Sequence, residues 1–310
     1  MRDVNAIGGY FELDAGIGQS SLPNGALLNS GRNALRHIVR MLGIQHIHVP
    51  YYICPVVIDA IEIEGCAVER YALTNDMMPD KTFPKDDYVL YVNYFGVCGR
   101  NVDGLASQYP NLIVDCAQAY FATPKGCASF SSPRKFFGIP DGGVAYGVGS
   151  GDYSEDVSDV RMWHLIERKK NGATSRGYEL FRASEASLCE MAVLGMSSLT
   201  RDCLARVDLS NARNQRLSNF NYLQRCLPTS FPFALAEDDV PMVYPFMTDS
   251  QDLRARLIQE RIYVASYWPG VSHCGNLQNR ILPLPIDQRY GEKEMIHMIE
   301  IICSCLGKYR

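Results

Sequence analysis

The stretch Leu112–Tyr146, LIVDCAQAYFATPKGCASFSSPRKFFGIPDGGVAY, decides the fold of this 310-residue chain. Leu112, Ile113 and Val114 form a short apolar run that reads as a buried strand, and the run ends in a carboxylate, Asp115. In an open α/β sheet the carboxyl ends of the strands border a crevice, so an acid at that position points into it. Gln118 follows three residues later, and a segment rich in small residues leads to Lys135, twenty positions beyond Asp115 (135 − 115). Gly142-Gly143 and a second apolar run close the stretch.

An acid and an amine in one crevice have a specific chemical use. Pyridoxal phosphate needs a lysine amine to hold it covalently and an acid to keep its ring nitrogen protonated. On these two residues alone, a turn-capping Asp and a surface Lys are the better explanation. The wider wording shifts the balance. Asp115-Cys116-Ala117-Gln118-Ala119, then Ser129-Phe130, then Lys135, then Gly142-Gly143 resembles, in order and spacing, the DegT/DnrJ/EryC1/StrS family of pyridoxal-phosphate-dependent sugar aminotransferases of fold type I. The resemblance extends loosely from Asn29 to the C-terminus.

Composition bounds the rest. A net charge of −4 and 47% hydrophobic residues describe an ordinary globular chain with a sizeable core and no basic excess for nucleic acid or an anionic membrane. No run of about 18 apolar residues is present, so no membrane span is expected. The eleven cysteines are scattered, lack paired CxxC metal spacing, and no charged-then-apolar leader opens the chain. Reduced thiols, a cytoplasmic location and no metal site are therefore expected.

Alternating strand and helix patterns predict a mostly parallel, mixed central sheet with helices on both faces. Residues 1–28 read as an irregular arm with a strand near Tyr10–Leu13. Its aromatics, Tyr10 and Phe11, have no obvious local partner. Ser30 caps a helix whose apolar residues Leu35, Ile38, Val39 and Leu42 lie on one face, and Gly43 ends it. Its N-terminus could hold an anion. Strands are expected at 46–50, 66–71 and 88–93, with a turn at Asn93-Tyr94-Phe95-Gly96 and a helix from about 103 to 109. The stretch 183–226 reads as continuous helix with a stripe of Leu188, Met191, Ala192, Gly195 and Leu199. Arg168-Lys169-Lys170 reads as a solvated basic cluster. A small C-terminal α+β lobe follows, with strands at 240–246 and 262–265, a helix at 249–261 and a terminal helix carrying Met295, Met298, Ile299 and Ile302.

The resemblance implies an arm over 1–28, a large cofactor-binding domain over 29–226 and a small domain over 227–310. It implies that Lys135 holds the cofactor and then moves a proton as base and acid, that Asp115 stabilises the ring nitrogen, and that Gln118 bonds the ring oxygen. Gly31, Arg32 and Asn33 would lie at the phosphate with Ser129 or Ser131, and Tyr52 or Tyr51 would stack on the ring, with Tyr52 preferred. It also implies a homodimer with shared sites, an amino donor such as glutamate, and a keto-sugar acceptor. Three positions depart from the family pattern: Arg32 where Thr is usual, Cys54 where an aromatic is usual, and Glu179 near the usual Asn. A lyase, or a protein that keeps the fold for binding or regulation, remains the alternative. Family members that act as dehydratases carry His at the lysine position, and Lys135 argues against that branch.

Overall fold

The computed structural model describes residues 6–14, 16–189, 192–268, 271 and 277–307. In chain order the elements are β1 (Ile7–Gly8), β2 (Ala26–Leu28), α1 (Gly31–Leu42), β3 (His46–Pro50), α2 (Pro55–Glu62), β4 (Ala67–Tyr71), β5 (Tyr88–Val92), α3 (Gly99–Gln108), β6 (Leu112–Cys116), β7 (Ala128–Ser131) and β8 (Gly143–Tyr146). They continue with α4 (Trp163–Asn171), α5 (Ser175–Ser187), α6 (Ser198–Ala205), α7 (Leu209–Cys226), β9 (Val243–Met247), α8 (Leu253–Gln259), β10 (Ile262–Tyr263), α9 (Leu277–Arg280), β11 (Ile281–Pro285) and α10 (Glu292–Leu306).

Seven strands form the main sheet in the order β2-β8-β7-β6-β5-β3-β4. β3 to β7 run parallel, β8 is antiparallel to β7, and β2 is antiparallel to β8. The sheet is mixed and mostly parallel, as the alternating pattern predicts. All five residues of β6 are buried, as are four of five in β5, because parallel strands are covered on both faces and so read as continuous apolar runs. In α1 the Ser30 side chain accepts from Asn33 N–H, and Gly43 takes the left-handed conformation that ends the helix. Leu35, Ile38 and Val39 of its apolar face are buried.

Beyond the main sheet, β9 and β11 pair antiparallel, with Pro245 opposite Pro283. Among the described residues each of these strands pairs on one side only, which leaves an edge where a residue without an N–H can sit. The core of this part includes Met295, Met298 and Ile302 of α10. The strands and helix of the C-terminal part are shorter than their sequence pattern suggests, at Val243–Met247, Leu253–Gln259 and Ile262–Tyr263. The described cysteines are all free, and no described helix is long and apolar enough to cross a membrane.

Two expectations are corrected. The stretch 183–226 is three helices, not one. Leu188 ends α5, Gly195 makes isolated bridges with Leu28 and Glu155, and Ser197 and Asp208 cap the N-termini of α6 and α7. Of the stripe read there, Met191 lies outside the described residues, and Gly195 serves an extended segment. Backbone pairing to β2 overrides helix propensity here.

The arm is the second correction. Tyr10–Leu13 is not a strand; instead β1 pairs parallel with β10. The aromatics do have partners in this chain. Tyr10 stacks on Phe181 with centroids 5.5 Å apart and lies under the Arg168 guanidinium at 4.9 Å, and Phe11 lies under Arg289 at 4.3 Å. Arg168 is buried, not solvated, and donates to the Gly8 carbonyl at 2.8 Å. The Tyr290 hydroxyl accepts from Gly8 N–H at 2.8 Å, and Arg289, ion-paired with Asp287 at 2.7 Å, donates to the Tyr10 carbonyl.

His164 closes this aromatic group, 5.9 Å from Tyr10 and 5.5 Å from Phe181. Burial, with Arg134 adding to it, pushes its pKa down from 6.5 to about 4. Between those values the unfolded chain takes up a proton that the folded chain refuses, so stability falls as pH drops through this window. Thermal unfolding of His164→Gln between pH 6.5 and 4 is expected to show a shallower loss of melting temperature than the wild type. An unchanged slope would mean that His164 does not set this sensitivity.

Candidate active site

β6 delivers Asp115 to the carboxyl end of the sheet, 5% exposed. One oxygen accepts from Ala117 N–H at 2.8 Å. Burial raises the Asp115 pKa, while the positive charge of Lys135 and the Ala117 hydrogen bond act against the rise. The acid and the amine therefore share one electrostatic environment, as their spacing suggests.

Gln118 sits one turn further on, 1% exposed. Its Oε1 accepts from Phe95 N–H at 2.7 Å, and its Nε2 has no hydrogen-bond partner. Phe95 adopts a left-handed backbone (φ 56°), a conformation that costs a non-glycine residue energy and tends to be retained at functional sites. The next residue, Gly96, also has positive φ, and a Cβ there would stand 2.6 Å from the Gln118 carbonyl. The strained turn after β5 thus fixes which way the Gln118 amide faces and leaves its NH2 group as an unused buried donor.

Lys135 ends a single 3₁₀ turn, Pro133–Lys135, and its side chain is exposed. The turn is held from behind. Arg216 of α7, fully buried, donates to the carbonyls of Phe136 and Met242 and to Gln288 Oε1, and its guanidinium lies 4.6 Å over the Phe136 ring. Gln288 Nε2 donates to the same Phe136 carbonyl at 2.7 Å. Burial pushes the Arg216 pKa down to about 10. Tyr120 packs against Phe136 and Phe137 and lines the turn with apolar surface. Neither Arg216 nor Gln288 is marked in the sequence. Each is a lone polar residue whose role exists only because α7 and the segment before α10 meet behind the lysine.

The N-terminus of α1 meets the β7–β8 connection. Gly142 N–H donates to the Asn29 carbonyl at 2.7 Å, and a Cβ on Gly143 would lie 2.1 Å from the Ser30 carbonyl. The Gly-Gly pair is therefore a close-approach requirement. Gly31 and Arg32 supply the open N–H groups of the first turn, Asn33 N–H being taken by Ser30. The Arg32 guanidinium turns away to the Leu188 carbonyl at the end of α5, and the Asn33 side chain bonds Asn29 and Ala192. Of these three residues the structure leaves only the backbone N–H groups of Gly31 and Arg32 open to an anion.

The two serines are separated from the acid. β6 and β7 pair Asp115 with Phe130, so these share a face, and Ser129 and Ser131, on either side of Phe130, take the opposite one. Ser129 Oγ is buried without a partner, and Ser131 lies beside the Tyr146 phenol. Ser132 instead stands at the α1 N-terminus, its Oγ 3.5 Å from where a Gly31 Cβ would be. Ser132 escaped the sequence reading, because only the chain's path past α1 distinguishes it from its neighbours.

Tyr52 is buried, stacked on Tyr94 at 5.7 Å and edge-on to Trp268 at 4.7 Å. Tyr51 lies under the Arg70 guanidinium. Cys54 stands just before α2 without a capping bond, and Glu179 is exposed on α5.

These residues fit pyridoxal phosphate. A buried carboxylate can meet a protonated ring nitrogen, the orphaned Gln118 Nε2 can donate to a ring oxygen, and the exposed Lys135 amine acts on the same acid. The first turn of α1 with Ser132 offers donors for a phosphate.

No protein-family model matches this chain, and no curated protein matches it. Solved structures do. A DegT DnrJ EryC1 StrS aminotransferase from Brucella abortus superposes with a TM-score of 0.62 at 16% identity, over 93% of this chain and 87% of that one. S. venezuelae DesV gives a TM-score of 0.62 at 16% identity over 95% and 87%. Helicobacter pylori PseC, an aminotransferase involved in the biosynthesis of pseudoaminic acid, gives 0.61 at 11% identity over 93% and 88%. The chain has the fold of these enzymes along nearly its whole length.

Proposed function

We propose that this chain is a pyridoxal-phosphate-dependent aminotransferase that moves an amino group, from a donor such as glutamate, to a keto-sugar, in the nucleotide-linked form used for amino-sugar and surface-polysaccharide synthesis. The observation that carries this reading is the burial of Asp115 at the carboxyl end of β6, within electrostatic reach of Lys135, in a fold shared with sugar aminotransferases. A Bacillus subtilis protein of the same fold, NtdA, has been solved with bound cofactor PMP.

When bound, pyridoxal phosphate supplies an electron-accepting ring. Asp115 would meet that ring's nitrogen with a carboxylate that desolvation otherwise discourages, so a nearby positive charge favours its ionised form. Gln118 donates from Nε2, with its amide orientation set by Phe95 N–H. The Lys135 amine would hold the cofactor and, once freed, could take the proton from the donor's α-carbon, and the Arg216–Gln288 grip on Phe136 keeps its backbone in place. Tyr120, Phe136 and Phe137 exclude water around the turn. The backbone N–H groups of Gly31 and Arg32, with Ser132, would hold the phosphate, while Asn33 is engaged within the chain, its N–H by Ser30 and its side chain by Asn29 and Ala192.

Lys135→Ala is expected to fold, since its exposed side chain fills no core volume, and to lose both the visible absorbance and the borohydride-fixed cofactor of the wild type. A cofactor adduct fixed on the variant would reassign the lysine. If the wild type holds cofactor yet shows no half-reaction with glutamate or other amino acids, the binding-protein reading replaces this one.

Asp115→Asn should move activity and stability in opposite directions. Losing about 3–4 kcal/mol of electrostatic stabilisation slows the half-reaction by roughly two to three decades. Because the folded pKa of Asp115 is raised, its contribution to stability is present at low pH and lost as pH rises through that value. The cofactor-free variant should therefore melt higher than the wild type at neutral pH. Half-transamination near the wild-type rate would remove Asp115 from this role.

The proposal extends to a homodimer with the site near the subunit boundary, although Tyr10 and Phe11 pack within their own chain and do not argue for it. Light scattering at micromolar concentration should give twice the chain mass. A catalytically active species of single-chain mass would exclude sharing.

A further inference from the structure

We propose that His46, His48 and Glu69 form a binding site for a divalent transition metal of the zinc class, at the end of the sheet opposite Asp115. His46 and His48 are two apart on β3 and so project from one face, and the parallel register places Glu69 of β4 beside His48. Their ligand atoms all lie within 4.8 Å of one another, the one such group among the described residues. His46 Nε2 is 3.7 Å and His48 Nδ1 3.6 Å from the same Glu69 oxygen. Metal–ligand bonds of about 2.0–2.1 Å in a tetrahedron put neighbouring ligand atoms about 3.3–3.4 Å apart, so little movement is needed.

The second observation concerns His48. Its side chain is 5% exposed, and its Nε2 bonds Asp87 at 2.8 Å. Its Nδ1 is buried and has no hydrogen-bond partner. A carboxylate on one ring nitrogen fixes the tautomer so that the other presents a lone pair, which is how metal-bound histidines are commonly oriented. Two imidazoles and one carboxylate suit zinc-class ions, with a coordination position left for water. One group opposes the ion: Lys81 Nζ pairs with the other Glu69 oxygen at 2.5 Å. His46, Glu69 and Lys81 are partly solvent-exposed, which gives an ion a way in. Occupancy would tie edge strand β4 to β3 and, through Asp87, to the start of β5, so binding and stability would be linked.

The test is calorimetric titration of the full-length chain with zinc chloride at neutral pH in phosphate-free buffer, after the thiols have been blocked with N-ethylmaleimide. One zinc per chain is expected, with a higher melting temperature. His46→Ala and Glu69→Gln change exposed side chains and should each weaken binding at least tenfold. Asp87→Asn, which only orients His48, should weaken it about 10- to 100-fold. Lys81→Met should strengthen it, because the ion no longer displaces an ammonium. Absence of zinc binding by the wild type, or the same affinity in His46→Ala and Glu69→Gln, overturns the site.

Discussion

Asp115 keeps a carboxylate inside the protein, where desolvation favours its neutral form. Its one hydrogen bond, from the backbone two residues on, does not offset that cost. The positive charge of Lys135 acts with that hydrogen bond to favour the ionised form. A site built this way is under electrostatic tension without its ligand, and a cation placed beside the acid relieves it. The unused amide of Gln118 has the same character, a buried donor whose partner the chain itself does not supply.

Precision at this site comes from elements distant in sequence. The lysine-bearing turn is short and its side chain exposed, so its position depends on what grips the neighbouring backbone. Arg216 and Gln288 both donate to the Phe136 carbonyl, one from α7 and the other from the segment before α10. A fully buried guanidinium served by carbonyls and an amide is expensive, and its pKa falls accordingly. Replacing it with an apolar residue would leave the Phe136 and Met242 carbonyls with fewer donors. The N-terminus of α1 is placed with similar economy, by two glycines that let β8 start against the Ser30 carbonyl.

The N-terminal arm shows how charge and aromatic surface fix a segment with little secondary structure. Two guanidiniums, Arg168 and Arg289, cover Tyr10 and Phe11 and also donate to arm carbonyls. This ties the arm to α4 and to the segment before α10, and explains why Arg168, which looks solvated in the sequence, is buried.

By itself the sequence determined the sheet class, the strand that carries Asp115 and the capped α1 helix, and it singled out an acid, an amide and an amine as site candidates. Those features depend on local patterns: apolar runs, a capping serine, a glycine pair, and polar residues at strand ends. Tertiary structure alone decided which side each residue serves. The pairing of Asp115 with Phe130 turned Ser129 and Ser131 to the other face and brought Ser132 to α1, since one residue of register inverts every side chain on a strand. It broke the expected long helix, because Gly195 was needed to bridge β2. It also set Arg216 against Phe136, next to Lys135, and Glu69 beside His48, contacts between residues 80 and 21 positions apart, which no local pattern encodes.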